Sequence, residues 1–159
     1  MHKENCDMEI KKASEKDISL ILQFRDSLFR ETGFSDNFYI EDFKEETMKF
    51  YKKQYNLDKM QHFIVYNSER EPIGVAGSLL KDDFPYFLFK PGFYGWIVDV
   101  YILPKFRKRG LASKLLDLNI KWIKSKGASA IQLLAFSEEA IRIYKHAGFE
   151  NVDIMKLEI

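Results

Sequence analysis

The spacing of apolar residues along the chain alternates between a period near 3.6 and a period of two, which predicts helices and strands in turn. In the first half the pattern predicts five elements, in the order strand, helix, helix, strand and strand: 8–13, 14–33, 40–55, 62–67 and 72–80. Ser14 and Asp17 suit the start of the first helix, and Gly33 suits its end. The last two strands are joined by a short polar turn and are predicted to form a hairpin.

The second half predicts strand, helix, strand, helix and one or two short final strands: 94–103, 110–126, 130–136, 137–146 and 149–159. The segment 94–103 is nearly continuous in apolar residues, which is typical of a strand covered on both faces, and Asp99 is its one formal charge. A strand that follows a crossover helix and lies beside the previous strand is parallel to it. The pattern therefore predicts an α/β fold with a mixed sheet and helices on its faces.

Overall charge directs attention to local clusters. The chain has 159 residues, with 25 Lys and Arg against 24 Asp and Glu, so its formal charge is +1. This length predicts a single domain over 1–159, and the 8 Gly and 4 Pro are too few for a disordered or fibrous chain. A near-neutral balance gives no overall attraction to nucleic acid or anionic lipid. Any anion-binding function must come from a local concentration of charge.

Cysteine and histidine usage argues against two kinds of chemistry. Cys6 is the one cysteine, so no intramolecular disulfide is predicted and a reducing, cytoplasmic setting fits. His2, His62 and His146 lie far apart without metal-ligand spacing, so no metal site is predicted. No run of eighteen apolar residues or apolar secretory signal occurs, which predicts a protein without a membrane partner.

The segment 104–112, Pro-Lys-Phe-Arg-Lys-Arg-Gly-Leu-Ala, joins the buried strand to the next helix and breaks a local rule. A helix N-terminus repels each cation by about 0.3–1 kcal/mol. Four cations crowd this start without an acidic residue or a side-chain cap, whereas Ser137, Glu138 and Glu139 give the later helix both features. A bound anion would satisfy the backbone N–H groups and the cations together, and Gly110 would let a phosphate approach closely.

Two other interpretations fit the same basic turn. One is a solvated turn that happens to lie next to a helix and binds nothing. The other is a contact with nucleic acid, for which four cations and exposed aromatic residues are a minimal case. That interpretation predicts a steeply salt-dependent affinity. Charge and spacing alone leave the three interpretations open.

Two motifs in this half of the chain resemble the GNAT superfamily of acyl-CoA-dependent N-acyltransferases. The family's main motif is Arg or Gln, two residues, Gly, one residue, and Gly or Ala, and it matches 107–112 directly after a strand. Its second motif is Ala, Tyr four residues later, and then Gly-Phe, which matches Ala140, Tyr144 and 148–149. The resemblance implies a GNAT-type single α/β domain: a mixed, mostly antiparallel sheet with a central parallel pair of strands and helices on both faces. It also implies acetyl-CoA as the cofactor.

By this resemblance, the helix start after the strand holds the pyrophosphate of coenzyme A. The implied cofactor-binding residues lie in the strand end, the basic turn and the second-motif helix: Val100, Tyr101, Ile102, Arg107, Lys108, Arg109, Gly110, Leu111, Ala112, Ser137 and Tyr144. The strand edge would pair with the pantetheine arm, and the Val100 N–H would polarise the thioester carbonyl. Tyr144 would lie near the sulfur, either as an acid with a lowered pKa or as a hydrogen-bond donor, and it also fits a core position.

The nucleophile needs help, because an alkyl ammonium with a pKa of about 10.4 must lose a proton before it can attack. Many family members carry a catalytic Glu on a central strand, but the matching positions here are Trp96 and Gln132. Asp99 is the remaining catalytic candidate, as a base or as an anchor for the amine. Because a buried carboxylate needs partners, a hydrogen bond from Asp99 to neighbouring backbone is the structural alternative. A water relay would also serve.

The acceptor is predicted to lie between the first two helices and the loop after the hairpin, since loops carry specificity in such folds. Two acidic and three aromatic residues stand in that loop: Asp82, Asp83, Phe84, Tyr86 and Phe87. They favour a cationic amine with apolar bulk, either a small molecule or a peptide. The same aromatic residues would equally cover the sheet or form a homodimer contact.

The leading hypothesis is an N-acetyltransferase that moves the acetyl group of acetyl-CoA to a primary amine by direct attack in a ternary complex. Cys6 lies outside both motifs and gives no reason to expect a covalent acyl-enzyme. The alternative is a non-catalytic acyl-CoA-binding module. Neither hypothesis calls for a specific nucleic acid.

Overall fold

The computed structural model describes residues 8–33, 41–85 and 89–159, with the backbone alone at 41–43. The strands of these residues are β1 Glu9–Lys12, β2 Met60–Tyr66, β3 Pro72–Asp82, β4 Phe93–Ile102 and β5 Ile131–Gln132. The helices are α1 Ile18–Glu31, α2 Glu41–Asn56, α3 Leu111–Ser125 and α4 Glu138–His146. Cys6, Tyr86 and Phe87 lie outside the described residues. Over the described ranges, no helix is both long and apolar enough to span a lipid bilayer.

The five strands form one sheet in the order β1-β2-β3-β4-β5. Strands β1 to β4 pair with their neighbours in antiparallel fashion, and β4 pairs with β5 in parallel. Helix α3 connects the two parallel strands, as the pattern of the second half predicts. The predicted α/β fold with a mixed, mostly antiparallel sheet is confirmed.

Helices cover both faces of the sheet, because neighbouring residues of a strand point to opposite sides. Ile64 of β2 packs with Ile21 of α1 and Tyr51 of α2 in one buried cluster. The next residue, Val65, packs with Leu115 of α3 in another. The sheet is therefore the middle layer, with α1 and α2 on one side and α3 on the other.

The boundaries of α1 follow from the residues that the sequence singles out. A short 3₁₀ turn, Glu15–Asp17, precedes the helix, and the Ser14 N–H donates to Oδ2 of Asp17 at 2.8 Å. At the other end, Gly33 takes a φ of 80°, which favours glycine and stops the helix. Both predicted ends of this helix are confirmed.

Two predicted strands differ from the structure. Of the segment 130–136, only Ile131–Gln132 pairs as a strand, because β4 and β5 separate directly after it. The predicted strand over 149–159 is wrong: the structure has no strand there, and Val152, Ile154 and Leu157 are 68%, 66% and 85% exposed. Apolar alternation shows that a segment suits a strand, but a strand also needs a hydrogen-bonding partner. The parallel pair therefore lies at one side of the described sheet.

Candidate functional site

A cleft opens where β4 and β5 separate. The two strands pair only at Gly95 with Ile131 and at Trp96 with Gln132. Within the described part of the chain, the β4 edge over 97–102 thus has no β5 partner. A cavity of ≈ 870 Å³ occupies the gap, with walls from α1, the β4 edge and the starts of α3 and α4. An open backbone edge inside a cavity of this size suits an extended ligand that binds like an added strand.

Strand β4 bulges in the middle of this edge. Beyond the pair of Gly77 with Val98, two residues of β4, Asp99 and Val100, stand opposite the single Ala76 of β3. Asp99 takes a φ of 56°, a left-handed conformation that few residues other than glycine, Asn and Asp adopt. A bulge bends and twists the strand that carries it. Here it accompanies the divergence of β4 from β5 and places Val100 outside the regular ladder.

Helix α3 begins on the cavity wall without an internal cap. Gly110 precedes it with a φ of 74°, and among the described side chains none caps this start and none in the first turn is acidic. A Cβ at position 110 would meet nothing within 4 Å, so the space in front of the helix is open. Residues 110–113 line the cavity. The unsatisfied N–H groups of a helix start are a ready anion site, as the sequence predicts.

Arg107 links the end of β4 to α1. Its Nε donates to the carbonyl oxygen of Ile102 at 2.8 Å, and its Nη2 donates to Oε2 of Glu31 at 2.6 Å. The Tyr101 hydroxyl donates to Oε1 of the same carboxylate at 2.7 Å. Burial acts to raise the pKa of Glu31, but the hydrogen bonds from Tyr101 and Arg107 lower it. Arg107 therefore also braces the turn, which its predicted role toward pyrophosphate did not anticipate.

The other three cations of the turn differ in position. Lys105 and Arg109 both lie over the ring of Phe106, with the Nζ 4.9 Å and the guanidinium carbon 5.4 Å from its centroid. Lys108 has a φ of 61° and lines the cavity. Of the four cations of the turn, Arg107 and Lys108 line the cavity, and Lys108 is the exposed one of the two.

Helix α4 forms the opposite wall and satisfies its own first turn. The Ser137 Oγ accepts the Ala140 N–H at 3.1 Å, and Glu138 and Glu139 occupy the first turn. The cap predicted for this helix is confirmed. The two helix starts on the cavity wall therefore differ in how their N–H groups are paired.

Tyr144 of α4 lies in the cavity wall. Its side chain is buried, and its ring meets that of Phe149 edge to face at a centroid distance of 6.0 Å. Burial raises the pKa of Tyr144 to about 12. The phenol is thus protonated at neutral pH and is suited to donate a hydrogen bond. The lowered pKa required for an efficient acid is not found.

Asp99 is held by side chains from three other elements rather than by neighbouring backbone. Its carboxylate accepts hydrogen bonds from Nη1 of Arg25 at 2.6 Å, from the hydroxyl of Tyr51 at 2.6 Å and from Nε2 of His62 at 2.9 Å. Burial acts to raise the pKa of Asp99, but the hydrogen bond from His62 and the charge of Arg25 lower it to about 2. Asp99 is therefore a fully ionised, fully buried carboxylate whose two oxygens are both engaged.

Sequence reasoning found Asp99 but missed the three residues that bind it. A usable signal was present, since Arg25 follows the helical spacing of Ile21 and Leu28 on the apolar face of α1. A charge on a buried helix face and a charge in a buried strand each need a partner. They are 74 positions apart in the chain, so only the fold could join them.

The two positions that the resemblance matches to a catalytic Glu are neighbours in space. Trp96 of β4 pairs directly with Gln132 of β5. Trp96 also lines the cavity, and the Nζ of Lys81 lies 3.7 Å from its ring centroid. The site thus has an aromatic ring with an adjoining cation at the position where a carboxylate would act as a base.

The acidic residues expected to attract the acceptor lie elsewhere. Asp82 accepts two hydrogen bonds from Lys59 Nζ at 2.9 and 2.7 Å, and Asp83 Oδ1 accepts the N–H of Phe84 at 2.7 Å. None of these three loop residues lines the cavity among its described walls. Phe89 instead covers the sheet, since it is buried and stacks on Tyr94 at 4.6 Å.

The remaining predicted site residues are brought together with one exception. Those that line the cavity are Asp99, Val100, Tyr101, Ile102, Arg107, Lys108, Gly110, Leu111, Ala112, Ser137 and Tyr144. Arg109 is not among the lining residues. The wall toward α1 adds five that the sequence did not single out as site residues: Arg25, Leu28, Phe29, Glu31 and Thr32.

Residues 24–149 match the sequence profile of the Acetyltransferase (GNAT) family, a span that includes both motifs and the whole cavity wall. An uncharacterized N-acetyltransferase of Escherichia coli, YjgM, is 38% identical over 56 residues. That aligned stretch covers 34% of this chain and 34% of YjgM, so the match spans about a third of the relative.

Solved structures match over nearly the whole chain. An acetyltransferase from Clostridium acetobutylicum, solved with acetyl-CoA, has a TM-score of 0.87 at 27% identity and covers 96% of each chain. A GCN5-related N-acetyltransferase from Ralstonia eutropha has a TM-score of 0.85 at 19% identity and covers 96% of this chain and 99% of its own. The second match, at this identity, shows a shared fold.

Proposed function

The chain belongs to the acetyltransferase (GNAT) family, and from that premise we propose that it transfers the acetyl group of acetyl-CoA to a primary amine by direct attack in a ternary complex. One observation carries the proposal. A single cavity is lined by an open strand edge, an uncapped basic helix start and a buried phenol, which suit an extended arm, a diphosphate and a leaving sulfur respectively.

The residues present fit acetyl-CoA in charge and in shape. The open space in front of Gly110 leaves room for a diphosphate at the N–H groups of α3, with Lys108 adding charge. The β4 edge at Val100 and Ile102 has no β5 partner and offers backbone groups to the amide-containing pantetheine arm, with the Ile102 carbonyl oxygen already accepting a hydrogen bond from Arg107. When bound there, acetyl-CoA supplies the thioester carbonyl and a thiolate leaving group.

In the overall reaction the amine nitrogen bonds to the carbonyl carbon, the C–S bond breaks, and the proton lost by nitrogen is balanced by one gained at sulfur. The Val100 N–H stabilises negative charge that develops on the carbonyl oxygen. Tyr144 donates a hydrogen bond to the sulfur. Full proton transfer from a phenol with a pKa of about 12 to a thiolate whose conjugate pKa is about 8.5 is uphill by about 5 kcal/mol.

The proton of the attacking amine leaves by a different route from the one through Asp99. Transfer from an ammonium of pKa about 10.4 to a carboxylate of pKa about 2 is uphill by about 11 kcal/mol. Both oxygens of Asp99 already accept hydrogen bonds from protein side chains. The proposed function therefore assigns the proton to a water relay in the cavity, in preference to Asp99 as the base.

The cavity wall beside the open strand edge favours an acceptor amine that carries apolar bulk. Leu28 and Phe29 of α1 and Trp96 of β4 line the cavity beside the open strand edge. Apolar side chains with a few polar groups are the usual lining of small-ligand sites. Small amines and peptide amines both satisfy this lining.

The decisive experiment compares Tyr144→Phe with the wild type. We expect acetyl transfer to fall about 100-fold while the Kd for CoA changes less than about 3-fold, since the variant removes only the hydrogen bond to sulfur. Tyr66→Phe is the matched control, because Tyr66 lies on β2 beside Lys11 and is not in the cavity wall.

The substrate side of the test is an amine panel with acetyl-CoA as donor. If acetyl-CoA binds but no amine in a broad panel is acetylated, the chain is the non-catalytic acyl-CoA-binding module. Thermal or denaturant unfolding with acetyl-CoA at about 100 times its Kd checks binding alone, since a ligand at that ratio adds about 2.7 kcal/mol to stability. The absence of any stabilisation would reject both hypotheses.

A further inference from the structure

The bulge of β4 holds a strained residue next to the proposed catalytic N–H. Asp99 has a φ of 56°, and for a residue with a Cβ this conformation costs about 1 kcal/mol or more. Such strain persists only where the surroundings over-determine the backbone. The adjoining residue, Val100, is the one whose N–H is assigned to the thioester carbonyl. Whatever fixes Asp99 thus also sets the direction of that N–H.

The hydrogen bonds that hold Asp99 come from three elements of the fold. Arg25 belongs to α1, Tyr51 to α2 and His62 to β2, and none is within 36 positions of Asp99 in the chain. The Asp99 side chain is 0% exposed, as is that of His62. An ionised carboxylate only accepts hydrogen bonds, so Nε2 of His62 carries the proton between them. Three donors on one buried carboxylate leave the bulge little freedom to rotate.

His62 is itself held on every side. Its ring stacks with those of Tyr51 and Tyr55, at centroid distances of 5.6 and 5.9 Å. Its Nδ1 shares a hydrogen bond with the Tyr55 hydroxyl at 2.8 Å. On the neighbouring strand, Gly77 leaves room for the ring, since a Cβ there would lie 2.2 Å from Cδ2 of His62. The donor that faces Asp99 is therefore fixed before any ligand binds.

We propose that Asp99 is a positioning residue, whose clamped carboxylate holds the bulge so that the Val100 N–H faces the acetyl carbonyl. The clamp consists of the three donors Arg25, Tyr51 and His62. This inference rests on the proposed function, because it needs acetyl-CoA in the cleft. It gives the buried carboxylate a task that requires no contact with the amine.

The test reads the carbonyl directly, without an acceptor. Acetyl-CoA labelled with ¹³C at the carbonyl is added to the wild type, Tyr51→Phe and Asp99→Asn, and the bound carbonyl resonance is recorded by NMR. A hydrogen bond to the oxygen moves the resonance downfield. We expect a downfield shift in the wild type and the loss of at least half of that shift in both variants. The Kd for CoA, which has no acetyl group, is expected to stay within about 3-fold.

Tyr51→Phe keeps the ring that stacks on His62 and removes only the hydroxyl, so it tests the clamp even if Asp99→Asn fails to fold. Tyr66→Phe, on the same sheet but remote from Asp99, serves as the control and is expected to keep the wild-type resonance. In turnover, Tyr51→Phe and Asp99→Asn are expected to lose about 10-fold in kcat with little change in the KM for acetyl-CoA.

The outcomes separate this inference from the proposed function. A folded Tyr51→Phe protein that binds acetyl-CoA with the wild-type resonance overturns the positioning role and leaves the acetyltransferase intact. Loss of the acidic limb of the kcat/KM pH profile in Asp99→Asn, with the resonance unmoved, would instead make Asp99 a base and also overturn it. A wild type that does not bind acetyl-CoA rejects the proposed function and this inference together.

Discussion

The two helix starts that flank the cavity both need acceptors for their free backbone N–H groups, but they differ in whether the chain supplies them. At α4, the Ser137 Oγ accepts the Ala140 N–H, and two glutamates stand in the first turn. At α3, a left-handed glycine is followed by a first turn with neither cap nor acid among its described side chains. Both turns present backbone N–H groups, but only one has acceptors of its own.

This difference shows that backbone N–H groups left without acceptors in a local segment can mark a binding site. A capped helix start contributes to stability whether or not a ligand is present. An uncapped start surrounded by cations is less stable alone and gains when an anion arrives. The comparison therefore predicts that removing the cap or an acidic residue at the α4 start lowers the stability of the protein. Removing a cation at the α3 start should instead weaken ligand binding and raise the stability of the ligand-free protein.

The largest expected effect comes from giving α3 an anion of its own. Gly110→Asp puts a carboxylate into the open space before the helix, and Asp tolerates a positive φ better than most residues. It would repel the diphosphate and occupy its place, so we expect the Kd for acetyl-CoA to rise about 100-fold, or about 2.7 kcal/mol, by calorimetry.

Gly110→Asn is the matched control for the same position. It has nearly the same shape without the charge, so its Kd is expected to rise less than 10-fold. Equal affinity of the two variants would mean that charge at the α3 start does not matter and would remove the basis of the comparison.

An intermediate effect is expected when the α4 cap is removed. Ser137→Ala leaves the Ala140 N–H without its side-chain acceptor and should lower the free energy of unfolding by about 1 kcal/mol in urea titrations. Ser113→Ala, in the first turn of α3, is the counterpart and is expected to be neutral or slightly stabilising, because alanine has the higher helix propensity. A larger loss in Ser113→Ala than in Ser137→Ala contradicts the assignment of the caps.

The smallest and most diagnostic effect is expected from removing one charge at each helix start, because the two substitutions should change stability in opposite directions. Lys108→Asn removes a cation near the α3 start and suits the positive φ, so the ligand-free protein should gain about 0.5 kcal/mol in stability. Its Kd for acetyl-CoA should rise about 3-fold. Glu138→Gln removes an anion at the α4 start and should cost about 0.5 kcal/mol. If both variants shift stability in the same direction, helix-end electrostatics do not distinguish the two starts.

Much of this contrast was predictable from sequence because it is local. Ser137 with its two glutamates, and the run of cations before Gly110, are properties of a few adjacent residues. The order of strands and helices follows from periodicity in the same way. Both motifs are local patterns as well, and residues of each line the cavity.

Features that depend on distant partners were not predictable in this way. The clamp on Asp99 joins residues from α1, α2 and β2, and no short window contains them. The strand predicted over 149–159 has the right alternation but no partner strand in the structure. Asp82 was expected to face the acceptor, yet it is bound by Lys59, which directly precedes the neighbouring strand β2. In each case the missing information was which segment lies next to which.

The absence of a side chain at Gly77 makes the residues allowed at positions 62 and 77 depend on each other. With the His62 ring 2.2 Å from where a Cβ would stand, residue 77 cannot become larger while residue 62 stays an imidazole. A smaller residue at 62 is compatible with glycine at 77. The substitution at 62 can therefore come first, whereas a larger residue at 77 cannot precede it. Lineages that carry a bulkier residue at 77 should therefore already have lost the imidazole at 62.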